Sequence, residues 1–152
     1  MLYLGADHRG YYLKEKIKEF LVNARIPFKD LGAQEYSPND SFVSFGKKVA
    51  QKVSQNPEEN RGVAFCGTGI GMSIICNKFP DIRAALCLTA IMARQSRKHL
   101  DSNILCLPAD IIEPSAAWRI IKAWLKEPKA DEARYLKRLE QIKNIEKENF
   151  KS

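Results

Sequence analysis

Several large protein classes are set aside by what this sequence lacks. None of its apolar runs approaches the roughly 20 residues that cross a bilayer, so no membrane-spanning helix is expected. The opening residues meet Asp7 and His8 almost at once and carry no signal-peptide pattern, so a cytoplasmic protein is expected. The four cysteines, Cys66, Cys76, Cys87 and Cys106, show neither C-x-x-C spacing nor histidine neighbours, which argues against a zinc site and for reduced thiols. Nucleotide signatures are missing too. Gly67, Gly69 and Gly71 do not make G-x-G-x-x-G, because Met72 stands three after Gly69, and no Gly-Lys-Ser/Thr follows. A dinucleotide dehydrogenase is thereby disfavoured, and neither metal nor cofactor is expected. Without an internal repeat, a low-complexity tract or a long linker, residues 1–152 read as a single domain.

Enough apolar residue is present to fold. At 152 residues, 45% hydrophobic and 28% charged, the chain can bury one proper core and does not read as disordered. Its net charge of +7 invites a nucleic-acid partner. Basic residues are nonetheless mixed with acids, as in Lys14-Glu15-Lys16-Ile17-Lys18-Glu19, which is the pattern of a solvated helix face. A basic surface that draws in small anionic substrates accounts for the charge equally well. Partners are therefore expected to be small molecules, with no nucleic acid and no membrane.

Short β-type runs alternate with amphipathic helical stretches, which predicts a parallel sheet covered on both faces: an α/β, Rossmann-like three-layer sandwich of five strands with a C-terminal helix. The strands fall near 2–6, 28–31, 62–66, 83–87 and 104–107. Helices are predicted over about 10–23, 42–55, from Gly71 to about Lys78, 90–98, Pro114 to about 125 and 131–149, Pro114 suiting a first helical turn that needs no N–H. Ligands of such sheets bind beyond the carboxyl ends of the strands. Asp7-His8, the Cys66–Gly71 loop and the loop after Leu88 should therefore share one rim.

Cys-Gly-Thr-Gly-Ile-Gly, from Cys66 to Gly71, is the strongest local signal. Glycines between a strand and a helix let backbone N–H groups point inward at an anion or a developing oxyanion, and a thiol there gains thiolate character. The same residues also read as a tight turn with a buried cysteine. Cys76, Cys87 and Cys106 lie in apolar surroundings and read as small core residues. His8 and His99 are each, taken alone, ordinary surface or helix-end histidines; beside Cys66 either would supply an acid–base partner. Arg134 and Arg138 share a helix face and could grip a phosphate bidentately, although with Glu132 and Glu140 near, a solvated face satisfies their spacing as well.

Taken together, Gly5-Ala-Asp-His-Arg-Gly10 with Leu13-Lys14, the Cys66–Ile74 segment, Asn77-Lys78, Ile82–Ala85, Ala93-Arg94, Arg97, His99, Asp101, Asn103 and the pair Arg134 and Arg138 resemble the ribose-5-phosphate isomerase B family, which includes the galactose-6-phosphate isomerase subunits. The resemblance runs over about residues 2–145. It implies an aldose–ketose isomerase that interconverts ribose 5-phosphate and ribulose 5-phosphate through an enediolate. Cys66 would be the base, the N–H groups from Gly67 through Gly69 and Ile70 to Gly71 the enediolate cradle with Thr68 in the catalytic set, and His99 the ring opener assisted by Asp7. His8, Arg134 and Arg138 would bind the phosphate. The resemblance also implies a homodimer or homotetramer with shared sites, the last helix packing on the partner subunit.

Four positions depart from the family pattern. Leu100 replaces an Asn after the ring-opening histidine, and Tyr135 replaces a His after the first C-terminal arginine. Asp110 replaces an Arg, reversing a charge expected near the phosphate; it should either pair with Arg134 or Arg138 or weaken phosphate binding. Ser41-Phe42-Val43 replaces Asp-Tyr-Pro, with Asp40 a substitute in a shifted loop. These departures keep two other functions open: isomerisation of a different sugar, unphosphorylated ones included, and a non-catalytic sugar-phosphate-binding subunit.

Overall fold

A computed structural model describes residues 1–150, with Lys151 and Ser152 of the expected domain lying outside the described residues. Five strands form one sheet: β1 (Leu2–Ala6), β2 (Phe28–Asp30), β3 (Arg61–Cys66), β4 (Ala84–Leu86) and β5 (Ile104–Pro108). Every pairing is parallel and the order is β2-β1-β3-β5-β4. Six helices complete the chain: α1 (Tyr11–Asn23), α2 (Phe42–Ser54), α3 (Ile70–Cys76), α4 (Ala90–Leu100), α5 (Pro114–Lys126) and α6 (Ala133–Asn149). The predicted α/β three-layer architecture is the observed one.

Period-2 alternation along the strands sorts the apolar residues into two cores. Leu2, Leu4, Val63, Phe65, Leu105 and Leu107 face one way and meet α1, α4 and α5. Ala64, Cys66, Ile104 and Cys106 face the other way and meet Val49, Val53, Met72 and Cys76 of α2 and α3. On α5 the buried residues Ala117, Ile120, Ile121 and Trp124 follow the i, i+3, i+4, i+7 spacing of a helix with one buried stripe. Trp124 is wholly buried and its indole N–H donates to Ser102 Oγ at 2.8 Å, so its polar atom is satisfied.

Helix ends follow local chemistry. Ser41 Oγ accepts from Val43 N at 3.3 Å and Thr89 Oγ1 from Met92 N at 3.2 Å, capping α2 and α4. α4 continues two residues beyond the predicted Lys98 because Asp101, at φ 46°, takes the left-handed conformation that ends a helix and returns its N–H to Arg97 O. α3, in contrast, stops at Cys76, where Asn77 turns aside to pair with Ala84 on β4.

One polar cluster lies inside the fold. Lys14 on α1 is fully buried; its ammonium bonds Asp30 Oδ2 at 2.5 Å and Glu15 Oε1 at 2.8 Å, and Lys18 reaches the same Asp30 oxygen at 2.8 Å. Burial alone would raise the Asp30 carboxyl, but hydrogen bonds from Lys14 and then Lys18 outweigh it and hold the group below its ordinary value. A carboxyl so depressed contributes stability at neutral pH that is lost as pH falls through its folded-state value. Asp30→Asn is therefore expected to cost about 3 kcal/mol at pH 7, since it leaves the buried ammonium with Glu15 as its one charged partner. The gap to the native protein should shrink as pH falls below about 4, where the carboxyl of the unfolded chain takes up a proton, and close as pH passes through the lower value of the native group. Urea midpoints measured across that range check both statements.

Candidate active site

In the strand order, the chain leaves β1 toward β2 on one side, whereas β3 leads to β5 and β4 on the other. The crevice beyond the carboxyl ends of β1 and β3 is thus the topological switch point, where open α/β sheets hold their ligands. Asp7, His8 and Arg9 follow β1 directly, and Cys66 is the last residue of β3. Placement of these residue types together is a consequence of topology alone.

Cys66 is 4% exposed, and its sulfur accepts the Gly69 N–H at 3.1 Å. The loop can close this way because Gly69 has φ 74°, a conformation open to glycine at little cost. A side chain at Gly69 would also meet Leu86 at 2.5 Å and the Leu107 backbone at 3.3 Å. Gly69→Ala is thus expected to cost at least about 1 kcal/mol and to move the N–H off the sulfur; thermal denaturation together with the rate of Cys66 alkylation reads both effects. Thr68 is exposed, its Oγ1 accepting from Ile70 N at 3.3 Å, which leaves its O–H to donate elsewhere. α3 has only seven residues, so the loop N–H groups rather than a long helix dipole supply the positive potential.

Asp7 is 5% exposed and its Oδ1 accepts from Gly10 N at 3.0 Å, which fixes the β1–α1 turn. Asp40 Oδ1 accepts both the His8 main-chain N–H and His8 Nδ1, each at 2.8 Å. A carboxylate can only accept, so Nδ1 carries the hydrogen, and Nε2 makes no hydrogen bond among the described residues. Asp40 Oδ2 is buried without a hydrogen-bond partner among the described residues. Asp40, rather than Ser41, is the loop residue that meets His8, while the ring of Phe42 closes over Gly71, where a Cβ would come within 2.8 Å of it.

Other predicted site residues are elsewhere. His99 lies in the last turn of α4, nine residues beyond the rim where that helix starts, hence about 14 Å down its axis. It stacks on Tyr135 with ring centroids 4.4 Å apart, and Arg134 Nη2 donates to Tyr135 Oη at 2.7 Å. Arg134 also pairs with Glu132 at 3.1 Å, and Arg138 is exposed one turn further along α6. One chain therefore brings together Asp7, His8, Cys66, Gly67, Thr68, Gly69, Ile70 and Gly71, and separately His99 with Arg134. The two groups do not meet within it.

Within one chain Asp110 pairs with neither Arg134 nor Arg138. Those arginines sit on α6, whereas Asp110 follows β5 at the carboxyl rim and forms its ion pair with Arg9. Sequence reasoning passed over Arg9; its place directly after His8 in the rim loop was the available signal. Several residues shared with the family pattern turn out to brace the frame. Arg97 is buried and bonds Asp101 at 2.5 Å and Ser102 O at 2.8 Å, while Asn103 joins Arg83 N and Asp81 O.

The remaining thiols are core residues. Burial pushes Cys87 up to about 11, and Cys106 is held well above the usual thiol range by its hydrogen bond with Cys76 and by burial. Among the described residues no helix is long and apolar enough to cross a membrane.

An open parallel sheet with a thiol beneath a glycine loop at its switch point defines a Rossmann-like α/β protein. The chain belongs to the ribose/galactose isomerase family, whose sequence model matches residues 2–142. Ribose-5-phosphate isomerase B of Escherichia coli is 34% identical over 142 residues, covering 93% of each chain. The structure of ribose-5-phosphate isomerase B from Mycoplasma genitalium with bound ribulose-5-phosphate superposes with a TM-score of 0.93 at 32% identity, covering 97% of each chain. That of the Clostridium thermocellum isomerase gives 0.90 at 39% identity, again over 97% of each.

Proposed function

We propose that this protein is a cytoplasmic aldose–ketose isomerase that interconverts ribose 5-phosphate and ribulose 5-phosphate, with Cys66 as the base. The observation that carries the reading is Cys66 Sγ, held under the Gly69 N–H at the switch point; the relatives' names and the ribulose-5-phosphate bound to one of them support it. A reducing compartment keeps such a thiol available.

On the open-chain sugar, Cys66 takes the C2 proton. The C–H electron pair forms a C1=C2 double bond and negative charge develops on O1, where loop N–H groups and the Thr68 hydroxyl stabilise it. The thiol then returns the proton to C1 as the C2 carbonyl forms and the hydroxyl proton passes from O2 to O1. His8 is a phosphate ligand as the imidazolium, its Nε2–H donating to the phosphate while Nδ1–H stays on Asp40. His99, with Arg134 and Arg138, belongs to the site of a second copy, where His99 opens the sugar ring with Asp7 beside it.

Exposed apolar residues support the pairing of copies. Ile70 and Ile74 on α3, Leu88 between the edge strand β4 and α4, and Ile91, Met92 and Leu100 on α4 are all exposed. A strip of this kind marks a protein interface, and Leu100, in place of the family's Asn, lengthens it. On α6, only Tyr135 is buried, which fits a helix whose partner is another subunit.

Turnover of ribose 5-phosphate in deuterated water tests the chemistry. A solvent deuteron is expected at C1 of ribulose 5-phosphate; turnover without incorporation would indicate a hydride shift and remove Cys66 as base. A panel that includes ribose separates the readings of substrate, since equal kcat/KM for ribose and its phosphate would end the phosphate-specific assignment.

A further inference from the structure

We propose that Arg9 is a substrate-binding residue of this site, anchoring the phosphoryl group, and that Asp110 is the residue that positions it. This rests on the reading of the substrate as a sugar phosphate. Three observations carry it.

First, Arg9 is built onto the catalytic loop. The nearest atoms to a Cβ placed on Gly67 would be Cζ and Nε of Arg9, followed by Asp110 Oδ2 at 2.6 Å. Any residue larger than glycine at 67 would displace the guanidinium. Second, Asp110 is a fixed post. Its N–H donates to Gly67 O at 3.0 Å, and the neighbouring Ala109 N–H to Cys66 O at 2.8 Å, so the strand end after β5 is laced to the Cys66 loop. From there its carboxylate holds Arg9 Nη2. Third, the pair has little structural use. The side chains are 54% and 40% exposed, and an ion pair so wet adds little to stability.

Charge at the mouth points the same way. Asp7 is buried and turned onto Gly10, and Asp40 is committed to His8. Asp110 alone would set a negative charge against an incoming dianion; paired with Arg9 that charge is cancelled. Arg9 has five N–H donors and makes one hydrogen bond among the described residues, so the rest of its fork is available to an anion. A cavity of about 260 Å³ opens beside the pair, lined by Arg9, Tyr12 and Asp110 and carrying exposed Glu113 as a second carboxylate. The arginine of this rim comes from the β1–α1 turn and is held by the carboxylate at the end of β5.

Inorganic phosphate is the probe that needs no turnover. Its binding to the intact protein, followed by calorimetry or by ³¹P NMR, is expected to weaken about tenfold or more in Arg9→Gln, the loss of a charge-assisted fork. Arg9→Lys should recover part of it. For ribose 5-phosphate, Arg9→Gln should raise KM by a similar factor while kcat falls less than about threefold. Asp110→Asn should raise KM by a smaller factor with the same split. Phosphate that binds native protein and Arg9→Gln equally, or not at all, overturns the proposal. Tighter phosphate binding in Asp110→Asn does so too, because the carboxylate would then be withholding Arg9 rather than aiming it. Failure of native protein to isomerise ribose 5-phosphate would instead strike the proposed function, and leaves the phosphate titrations to decide Arg9. Unfolding curves for each variant exclude a folding defect, which exposure of both side chains makes unexpected.

Discussion

Cys66→Ala should lower kcat by about 10²–10⁴-fold, the usual cost of losing an acid–base group, while phosphate binding stays close to native. The difference arises because the thiol and the anion cradle are separate parts. Glycine-loop N–H groups and the rim cations remain when Sγ is removed, and only the proton carrier goes. Stability should change by about 1 kcal/mol, because a buried atom leaves a small cavity. Cys87→Ala is the control: its thiol, pushed up to about 11 by burial, stays protonated and its loss should leave turnover near native. Steady-state assays of both variants with ribose 5-phosphate decide the matter. Native turnover by the Cys66 variant would end its assignment as base.

Mixing two dead enzymes should give a live one. Cys66→Ala and His99→Ala are each expected to be inactive, yet if every site takes Cys66 from one chain and His99 from another, a mixed dimer contains one native site. Equal parts after subunit exchange should regain about a quarter of native activity, from statistical pairing in a twofold dimer. The expectation follows from α4, which starts at the rim and carries His99 away from it toward Tyr135. Exchange proved by mass spectrometry with no recovered turnover would show that the sites are not shared.

Much of this protein was legible in one dimension. Alternation of short β-type runs with amphipathic stretches is a local property, so strand and helix positions came out within a few residues. The glycine loop was legible because a thiol, three glycines and a strand–helix junction are contiguous. Errors lay at ends decided by contacts: α4 runs on to Leu100 until Asp101 turns left-handed under Arg97, and α3 stops where Asn77 is drawn to β4. Lys14 looked like one more residue of a solvated face, and its burial on Asp30 depends on β2 lying alongside β1.

By itself, then, the sequence determined the fold class, the rim on which Asp7, His8 and Cys66 stand, and the identity of the core cysteines, because periodicity and contiguous motifs carry that information. Only the tertiary structure decided which charges meet. Arg9 and Asp110 are 101 residues apart and touch because β1, β3 and β5 are neighbours in the sheet. His99 is separated from Cys66 because a helix after a parallel strand must run back toward the other end of the sheet. Long-range pairings of this kind follow from strand order, and strand order is not written in any local pattern.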